Sequence, residues 1–392
     1  MSVNDLSYQQ IATILNDINK AVTGNEAAIA PKNTSEFVSV GTTLIQGGID
    51  PLKTGVTQVL SNSIFSVRPY YRKFGELMTT RQRFGAITRK LVPIDREAED
   101  DIRYELEDGQ SVDHYKVSIF RVLMTNFYGE CVYKRRDTTY TRQLLNAFRG
   151  PDELGEFFMM KEQNMRDLIE QDHESTARMT VANFIAGKYA ADNGVIHLLT
   201  EYNAHTGQSL DDVTVYHPDN FKPFCDWLFT RIDVLAGKMS ERSKLYQIEV
   251  ENKPVNHHTQ GENLNIYLYR PLKTEIEKRV LSNTYHDNYL KYAKNEAVNF
   301  WQNIADGQED KILVTPSYLD TTGQIIQSQT EVAVDKIVGV MFDRDAMGFT
   351  IFDQRAINTP VNADGDFYNT VYHYTERYWN DFTEKGIVLL LD

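Results

Sequence analysis

Few residue patterns in this chain could support chemistry. Glu170 and His173 have the Glu-x-x-His spacing, which in di-iron helical bundles places two metal ligands on one face of a helix. A di-iron site requires a second such motif, and no other histidine among the nine has a glutamate three residues before it. The pattern therefore predicts that His173 is a solvated helix residue rather than a metal ligand.

Three further patterns resemble metal or catalytic sites in composition only. His257 and His258 lie in a polar stretch without an acid or cysteine at ligand spacing, which predicts loop histidines. Residues 362–366 (NADGD) lack the distal glutamate of a calcium loop and are predicted to form a turn. Asp343 follows the apolar run Val338–Phe342 and could supply a carboxylate at a strand end. Because no partner base or nucleophile accompanies Asp343, a structural ion pair is the favoured interpretation.

The common nucleotide-binding, hydrolase and zinc-protease motifs are all missing from the sequence. We therefore predict no catalytic, metal or cofactor-binding residue, no cofactor and no enzymatic activity. The alternative is a hydrolase with a carboxylate–histidine site formed by His257, His286 and Asp343.

The composition restricts the possible partners. The 392 residues include 41 Lys and Arg against 55 Asp and Glu, a formal charge of −14. Such an acidic chain is a poor candidate for gripping nucleic-acid phosphates or an anionic membrane. The two cysteines, Cys131 and Cys225, cannot form a disulfide framework, and the first residues do not resemble a signal peptide. We expect a soluble protein of a reducing compartment.

The charge is distributed in two adjacent blocks of opposite sign. Residues 68–90 carry seven basic side chains and one acid, Glu76, whereas residues 95–108 carry eight acids and two arginines. Two solvated faces are the simpler interpretation. The alternative is that the blocks meet on neighbouring copies of the chain, because charge complementarity sets specificity. The predicted inter-subunit contact residues are Arg81, Arg83, Arg89, Lys90, Glu97, Glu99, Asp100 and Asp101.

The elements around these residues follow from periodicity. Residues 1–66 are predicted to be an arm with little core of its own, and residues 67–142 a long two-stranded excursion. Residues 151–189 are predicted to be one very long helix, with an apolar stripe that includes Met165, Ile169, Thr176 and Met179.

An α/β domain is predicted to follow, and strands return at the C-terminal end. One helix carries Phe224, Leu228 and Ile232 on one face, and a second is predicted around 289–304. The strand candidates are Val213–Tyr216, Leu245–Val250, Asn265–Leu268, Ile312–Val314, Ile337–Phe342, Phe349–Phe352, Val371–Trp379 and a buried strand at Gly386–Leu391.

Three passages resemble known proteins. Val338–Gly348 (VGVMFDRDAMG), Tyr368–Tyr374 (YNTVYHY) and Gly386–Leu391 (GIVLLL) are similar to passages in the major capsid (head) proteins of tailed bacteriophages, particularly of small podophages. The order of arm, charged hairpin, long helix, α/β domain and returning strands resembles that of the Hong Kong 97 fold.

This resemblance implies an α+β capsid fold of five parts. They are an N-terminal arm (1–66), an extended β-hairpin or E-loop with flanking P-domain strands (67–142), a peripheral (P) domain with the spine helix (143–199), an axial (A) domain (200–345), and C-terminal P-domain strands (346–392).

The resemblance also implies the function and the partners. The chain would self-assemble, as hexamers and pentamers, into the icosahedral head that encloses double-stranded DNA. It would contact that DNA only weakly and non-specifically, and it would not bind membrane. The short arm favours a separate scaffolding protein, and a portal protein would be a further partner. The protein would reside in the virion after assembly in the host cytoplasm. The alternatives are the hydrolase above or another virion component, a portal or tail protein.

Overall fold

The computed structural model describes Phe74, Leu77 and residues 88–99, 105–113, 115–127, 130–140, 151–251, 253–279 and 294–392. The predicted arm, Arg81, Arg83, Asp100, Asp101 and His286 lie outside these residues.

The described helices are α1 (Pro151–Ala190), α2 (Leu198–Thr206), α3 (Pro218–Ser240) and α4 (Arg270–Arg279). The described strands are β1 (Thr88–Pro93), β2 (Val122–Phe127), β3 (Cys131–Tyr140), β4 (Val195–His197), β5 (Leu264–Tyr269), β6 (Lys294–Val298), β7 (Ile312–Val314), β8 (Ser317–Leu319), β9 (Ile325–Gln327), β10 (Val332–Val334), β11 (Ile337–Asp343), β12 (Met347–Asn358), β13 (Phe367–Asn380) and β14 (Gly386–Leu390).

A five-stranded mixed sheet separates two hydrophobic cores. Its strand order is β4–β14–β11–β5–β6, in which the two outer pairs are parallel and the inner pairs antiparallel. Along β14, Val388 and Leu390 belong to the core that contains α1, whereas Ile387 and Leu389 belong to the core that contains α3. Because both faces of β14 are covered, its sequence is a continuous apolar run. The predicted buried strand is confirmed.

Helix α1 has the predicted length, but its buried face differs from the predicted stripe. Met179 is 62% exposed, and the buried positions follow steps of four residues through His173, Ala177 and Val181. Residues four apart lie on the same side of a helix, so His173 belongs to the buried row. The prediction that His173 is solvated is therefore wrong. The carboxylate of Glu376, in β13, contacts His173 there. This contact explains why a polar side chain can occupy a buried position of the helix.

A three-stranded antiparallel sheet, β12–β13–β3, packs against α1. β12 and β13 confirm the two predicted alternating runs near the end of the chain. The predicted turn at 362–366 is also confirmed, since the backbone N–H of Gly365 donates to Asn362 Oδ1 over 2.9 Å.

The strands β1 and β2 form an antiparallel hairpin whose register pairs Leu91 with Met124. We call residues 88–127 the hairpin; residues 94–121 connect its two strands. The structure thus has an antiparallel strand pair within the predicted excursion of residues 67–142.

The prediction of a second helix around residues 289–304 is wrong for the part that the structure describes. Residues Lys294–Val298 form β6, which pairs in parallel with β5. Trp301 is buried and donates from its indole nitrogen to the carbonyl oxygen of Ile337 over 3.1 Å. Pairing with a neighbouring strand overrides a helical spacing of aromatic residues, because strand formation depends strongly on such context.

Two predicted strands are also wrong. Thr214–Tyr216 is a 3-10 turn, because Asp211 Oδ1 accepts hydrogen bonds from the backbone of Val213 and Thr214 and closes the chain locally. Residues 245–250 are irregular, and Tyr246 lies at a φ of 65°, which an extended strand does not allow. None of the helices in the described part of the chain is both long and apolar enough to cross a membrane.

Candidate functional site

The two described residues of the hydrolase alternative, His257 and Asp343, both make structural contacts. His257 Nδ1 lies 3.0 Å from Glu384 Oε2. Asp343 is buried and accepts a hydrogen bond from the backbone N–H of Asp345, so it closes a turn. Burial raises the pKa of the Asp343 carboxyl. His257 is therefore paired with an acid that the sequence analysis did not single out.

That acid belongs to a charged cluster between β13 and β14. Lys90 Nζ lies 2.6 Å from Glu384 Oε1 and 2.8 Å from Asp381 Oδ2. Burial would raise the pKa of Glu384, but the hydrogen bond from His257 and the charge of Lys90 outweigh it and lower the pKa to about 2. Burial would lower the pKa of Lys90, but Asp381 and Glu384 raise it instead. Glu384 and Lys90 therefore stay charged near pH 7, which makes them unsuited to proton transfer.

The space beside the cluster is too small for a substrate. A cavity of about 10 Å³ lies between Leu123, Val255, His257 and Thr383, which is about the room that one water needs. An open cleft of about 930 Å³ lies elsewhere, beside residues 244–251, and its Lys244 and Glu249 form an ion pair of 3.0 Å. In the part of the chain that the structure describes, no group of three His, Cys, Asp or Glu could hold a metal ion.

Four of the predicted inter-subunit residues are described, and three of them have contacts within the chain. Lys90 belongs to the charged cluster, and Arg89 Nε donates to Asn126 Oδ1 across the hairpin over 3.1 Å. Glu99 pairs with Lys116 over 2.5 Å in full solvent exposure, and this contact lowers the pKa of Glu99. Glu97 is exposed. The structure thus brings Lys90 to acids of the segment between β13 and β14, and no contact between Lys90 and the described part of the acidic block is seen.

The outer part of the hairpin is an exposed apolar surface. Its exposed side chains are Tyr115 (90%), Val117 (80%), Ile119 (70%) and Phe120 (70%), and they continue into Val122, Met124 and Leu91 on one face of the paired strands. Single exposed apolar residues are common, but a contiguous exposed group marks an interaction surface. The alternation of residues 117–123 in the sequence is typical of a strand, but the strand begins only at Val122. Residues 117–121 are all exposed, whereas Leu123 is buried.

A second polar network joins α1 to the three-stranded sheet. Asp172 accepts two hydrogen bonds from Arg135, at 2.7 and 2.5 Å, and one from the hydroxyl of Tyr374. His173 contacts Glu376 in the same interface. The Glu-x-x-His spacing singles out His173 in the sequence. Its partner Glu376 lies about 200 positions further along the chain, so no local pattern indicates their contact.

Comparisons with known proteins are consistent across nearly the whole chain. The model of one family, described as Phi29-like phage major capsid protein, matches residues 12–389. A chain from the capsid structure of Staphylococcus phage Andhra aligns with a TM-score of 0.55 at 10% identity, over 84% of this chain and 86% of that one. A chain from the structure of the head fiber and inner core protein gp22 of native bacteriophage P68 aligns with a TM-score of 0.53 at 10% identity, over 83% and 88%. A comparison with curated proteins finds no match.

Proposed function

Since this chain belongs to the family of Phi29-like phage major capsid proteins, we propose that its hairpin is the element through which neighbouring copies recognise each other in the head. The family is one of structural proteins, not of enzymes, and its members form the shell of the phage head. The protein is therefore a component of the virion. The proposal concerns which part of the molecule makes the contacts between neighbouring copies.

The exposed apolar surface of the hairpin is the observation that carries this proposal. Tyr115, Val117, Ile119 and Phe120 are 70–90% exposed, and all the described residues from 115 to 121 are exposed. Interfaces between proteins have apolar and aromatic centres with polar rims. The acidic residues 95–108 beside this surface would form such a rim. A second copy would bury the apolar side chains that one copy leaves in water.

The finer architecture is part of the same proposal. The hairpin would be the E-loop, α1 the spine helix, the three-stranded sheet part of the peripheral domain and the strands β5, β6 and β11 part of the axial domain (200–345) of a Hong Kong 97-type subunit. The element order supports this assignment, as do the similarities to passages of small podophage capsid proteins. Hexamers and pentamers of such subunits would close the shell.

The remaining partners are part of the same proposal. With a formal charge of −14, the chain would leave packaged DNA free to slide, touching it only weakly. A separate scaffolding protein and a portal protein would complete assembly in the host cytoplasm. The charged residues Arg81, Arg83, Arg89, Glu97, Glu99, Asp100 and Asp101 would set the register between copies, and Lys90 would contribute through its contacts within the chain.

Replacing the apolar side chains tests the proposal. The triple variant Val117→Ser, Ile119→Ser, Phe120→Ser should fold but should not form shells under conditions in which the unchanged chain does, as seen by electron microscopy. A matched control replaces Val213, Ile304 and Ile325, which are 72–74% exposed on other surfaces, with serine. The control should assemble normally. Normal shells from the hairpin variant would refute the proposal.

A further inference from the structure

The paired part of the hairpin has one covered face and one exposed face. Lys90 and Leu123 project toward the body of the chain, whereas Leu91 and Met124, which are opposite each other in the register, are exposed. On the covered face, Phe127 packs beside Trp379 with ring centroids 5.1 Å apart. The hairpin therefore lies across its own subunit before its outer part continues into solvent.

Two charged contacts attach the hairpin to the body at different distances from its base. The inner one is the Lys90 cluster with Asp381 and Glu384, whose acids are almost fully buried. The outer one is Asp95, which pairs with Arg242 and accepts hydrogen bonds from the backbone and side chain of Asn256 at 2.8 and 2.9 Å. Asp95 lies five positions along the chain from Lys90, a backbone span of at most roughly 17 Å at 3.3 Å per residue.

The two receiving segments are themselves connected. Lys385, next to Glu384, donates to the carbonyl oxygen of Glu241 over 2.6 Å and to Ser243 Oγ over 3.0 Å, beside Arg242. His257, next to Asn256, pairs with Glu384. Both attachment points of the hairpin therefore belong to one polar framework at the junction of the two sheets.

The two contacts differ in strength. The Lys90 side chain is 18% exposed and its partners 2% and 7%, so removing its charge would take the lysine cation away from two buried carboxylates. The Asp95 and Arg242 side chains are 21% and 62% exposed, and exposed ion pairs are weak and screened by salt. Breaking the Asp95 contact should therefore cost much less free energy than breaking the Lys90 contact.

We propose that these contacts form a two-point clamp in which Lys90 is the pivot of the hairpin and Asp95, held by Arg242 and Asn256, is a latch that fixes its direction. Contacts near the base leave the outer part of the hairpin free to swing, whereas a further contact five positions along the chain, at Asp95, restricts its angle. Lys90 and Asp95 are positioning residues: they set where the apolar surface of the hairpin points. This inference rests on the proposed function only for its consequence in assembly.

The direction of the hairpin can be measured in the unassembled chain. Spin labels on Tyr115→Cys in the hairpin and Ile304→Cys in the body, in a Cys131→Ser background and diluted with unlabelled chain, report their distance distribution. Cys225 is fully buried and can remain. We expect one narrow distribution, which Asp95→Ala or Arg242→Gln broadens by about twofold or more while the fold remains intact. In hydrogen exchange, the amide of Asn256 should lose protection by about tenfold in Asp95→Ala.

Glu97→Ala is the matched control, because Glu97 is an exposed acid two residues beyond the latch. It should leave the distance distribution narrow. An equally narrow distribution in Asp95→Ala, or a broad one in the unchanged chain, would overturn the clamp. Lys90→Met is expected to destabilise the whole fold, so the proposal is judged on the Asp95 and Arg242 variants. Failure of the unchanged chain to form shells would instead count against the proposed function and leave the distance result standing.

Discussion

Lys188 is a fully buried lysine near the end of α1. Its Nζ donates to Asn193 Oδ1 over 3.0 Å and to the carbonyl oxygen of Tyr246 over 2.8 Å. Burial lowers its pKa to about 7, although Asp381 and Glu384 counteract part of that effect. A neutral amine can donate both hydrogen bonds, so the site can hold lysine without its charge.

The free energy of unfolding should therefore rise between about pH 7 and pH 10. In that range the unfolded chain, with a lysine pKa of 10.5, binds more protons than the folded chain, which favours folding as the pH increases. Lys188→Met should flatten this rise, which has an upper bound of about 5 kcal/mol at 1.36 kcal/mol per pKa unit. Urea unfolding at several pH values measures it. The exposed Lys238→Met should keep the slope of the unchanged chain, and an unchanged slope in Lys188→Met would contradict the argument.

Glu384 should act in the opposite direction on the acid side. Its folded pKa of about 2 lies below the ordinary value of 4.5, so its stabilising effect is complete above pH 4.5 and disappears as the pH falls toward 2. We expect Glu384→Gln to lower the free energy of unfolding by about 2–3 kcal/mol at pH 7 and by far less near pH 2.5. Chemical unfolding of both chains across this range measures the difference. The half-exposed Glu249→Gln should show little effect at either pH, and a loss for Glu384→Gln that is independent of pH would contradict the ionic role.

These residue-level features were largely hidden in the sequence. The lack of catalytic motifs in the sequence predicts a protein that is not an enzyme. The family, which is one of structural capsid proteins, confirms this prediction. Asp381, Glu384 and Lys90 come from segments nearly 300 positions apart, and no local pattern distinguishes a buried acid from a surface one. His173 was assigned to solvent for the same reason, since its partner Glu376 is supplied by a strand far along the chain.

At the scale of elements, the contact of α1 with the three-stranded sheet depends on a few polar side chains. Asp172 binds Arg135 in bidentate geometry and also accepts from Tyr374. Bidentate charge-assisted pairs are the stronger hydrogen bonds, and losing one leaves Arg135 without its acceptor. Asp172→Ala should lower the free energy of unfolding by about 2 kcal/mol.

Denaturant unfolding followed by circular dichroism measures this loss. Asp167→Ala, on the exposed side of the same helix, is the control and should change the stability by less than about 0.5 kcal/mol. Equal effects of the two variants would mean that the helix–sheet contact gains nothing specific from Asp172. The outcome also separates packing from ionic pairing, because the apolar contacts of Met165 and Ile169 are the same in both variants.

Elements with strong local patterns were predictable, and elements determined by distant partners were not. The 40 residues of α1 and the apolar run of β14 were evident from periodicity. In contrast, β6 exists because β5 offers it a parallel partner, which overrides a helical spacing. The irregular path of residues 245–250 depends on Tyr246, whose carbonyl accepts from Lys188 and from the backbone of Gly386. Those contacts require the tertiary structure.

At the scale of the whole molecule, the unequal distribution of charge matters more than its sum. Within the positive block, Lys90 is neutralised by two acids of its own chain, Asp381 and Glu384. Of the described acids between 95 and 108, Asp95 and Glu99 are paired within the chain, whereas Glu97 is exposed. Arg81, Arg83 and Arg89 are the predicted basic contact residues, other than Lys90, that would set the register between copies.

Charge reversal with rescue tests this register. Changing Glu97, Glu99, Asp100 and Asp101 to lysine should block shell formation by placing like charges opposite each other, while the subunit still folds. Adding Arg81→Glu, Arg83→Glu and Arg89→Glu should restore shells, since the signs are then exchanged on both sides. Lys90 is kept, because its replacement would disturb the fold. Electron microscopy and light scattering measure the shells.

The control must separate register from net charge. Lysine substitutions at the exposed acids Glu262, Asp306, Glu331 and Asp364 change the net charge by the same amount outside the hairpin. They should leave assembly intact if position is decisive. Because charges further apart than about 8 Å are screened at physiological salt, the reversed chain should also assemble better as salt increases. Normal shells from the reversed chain at low salt would refute the register, and equal failure of the control would assign the effect to net charge alone.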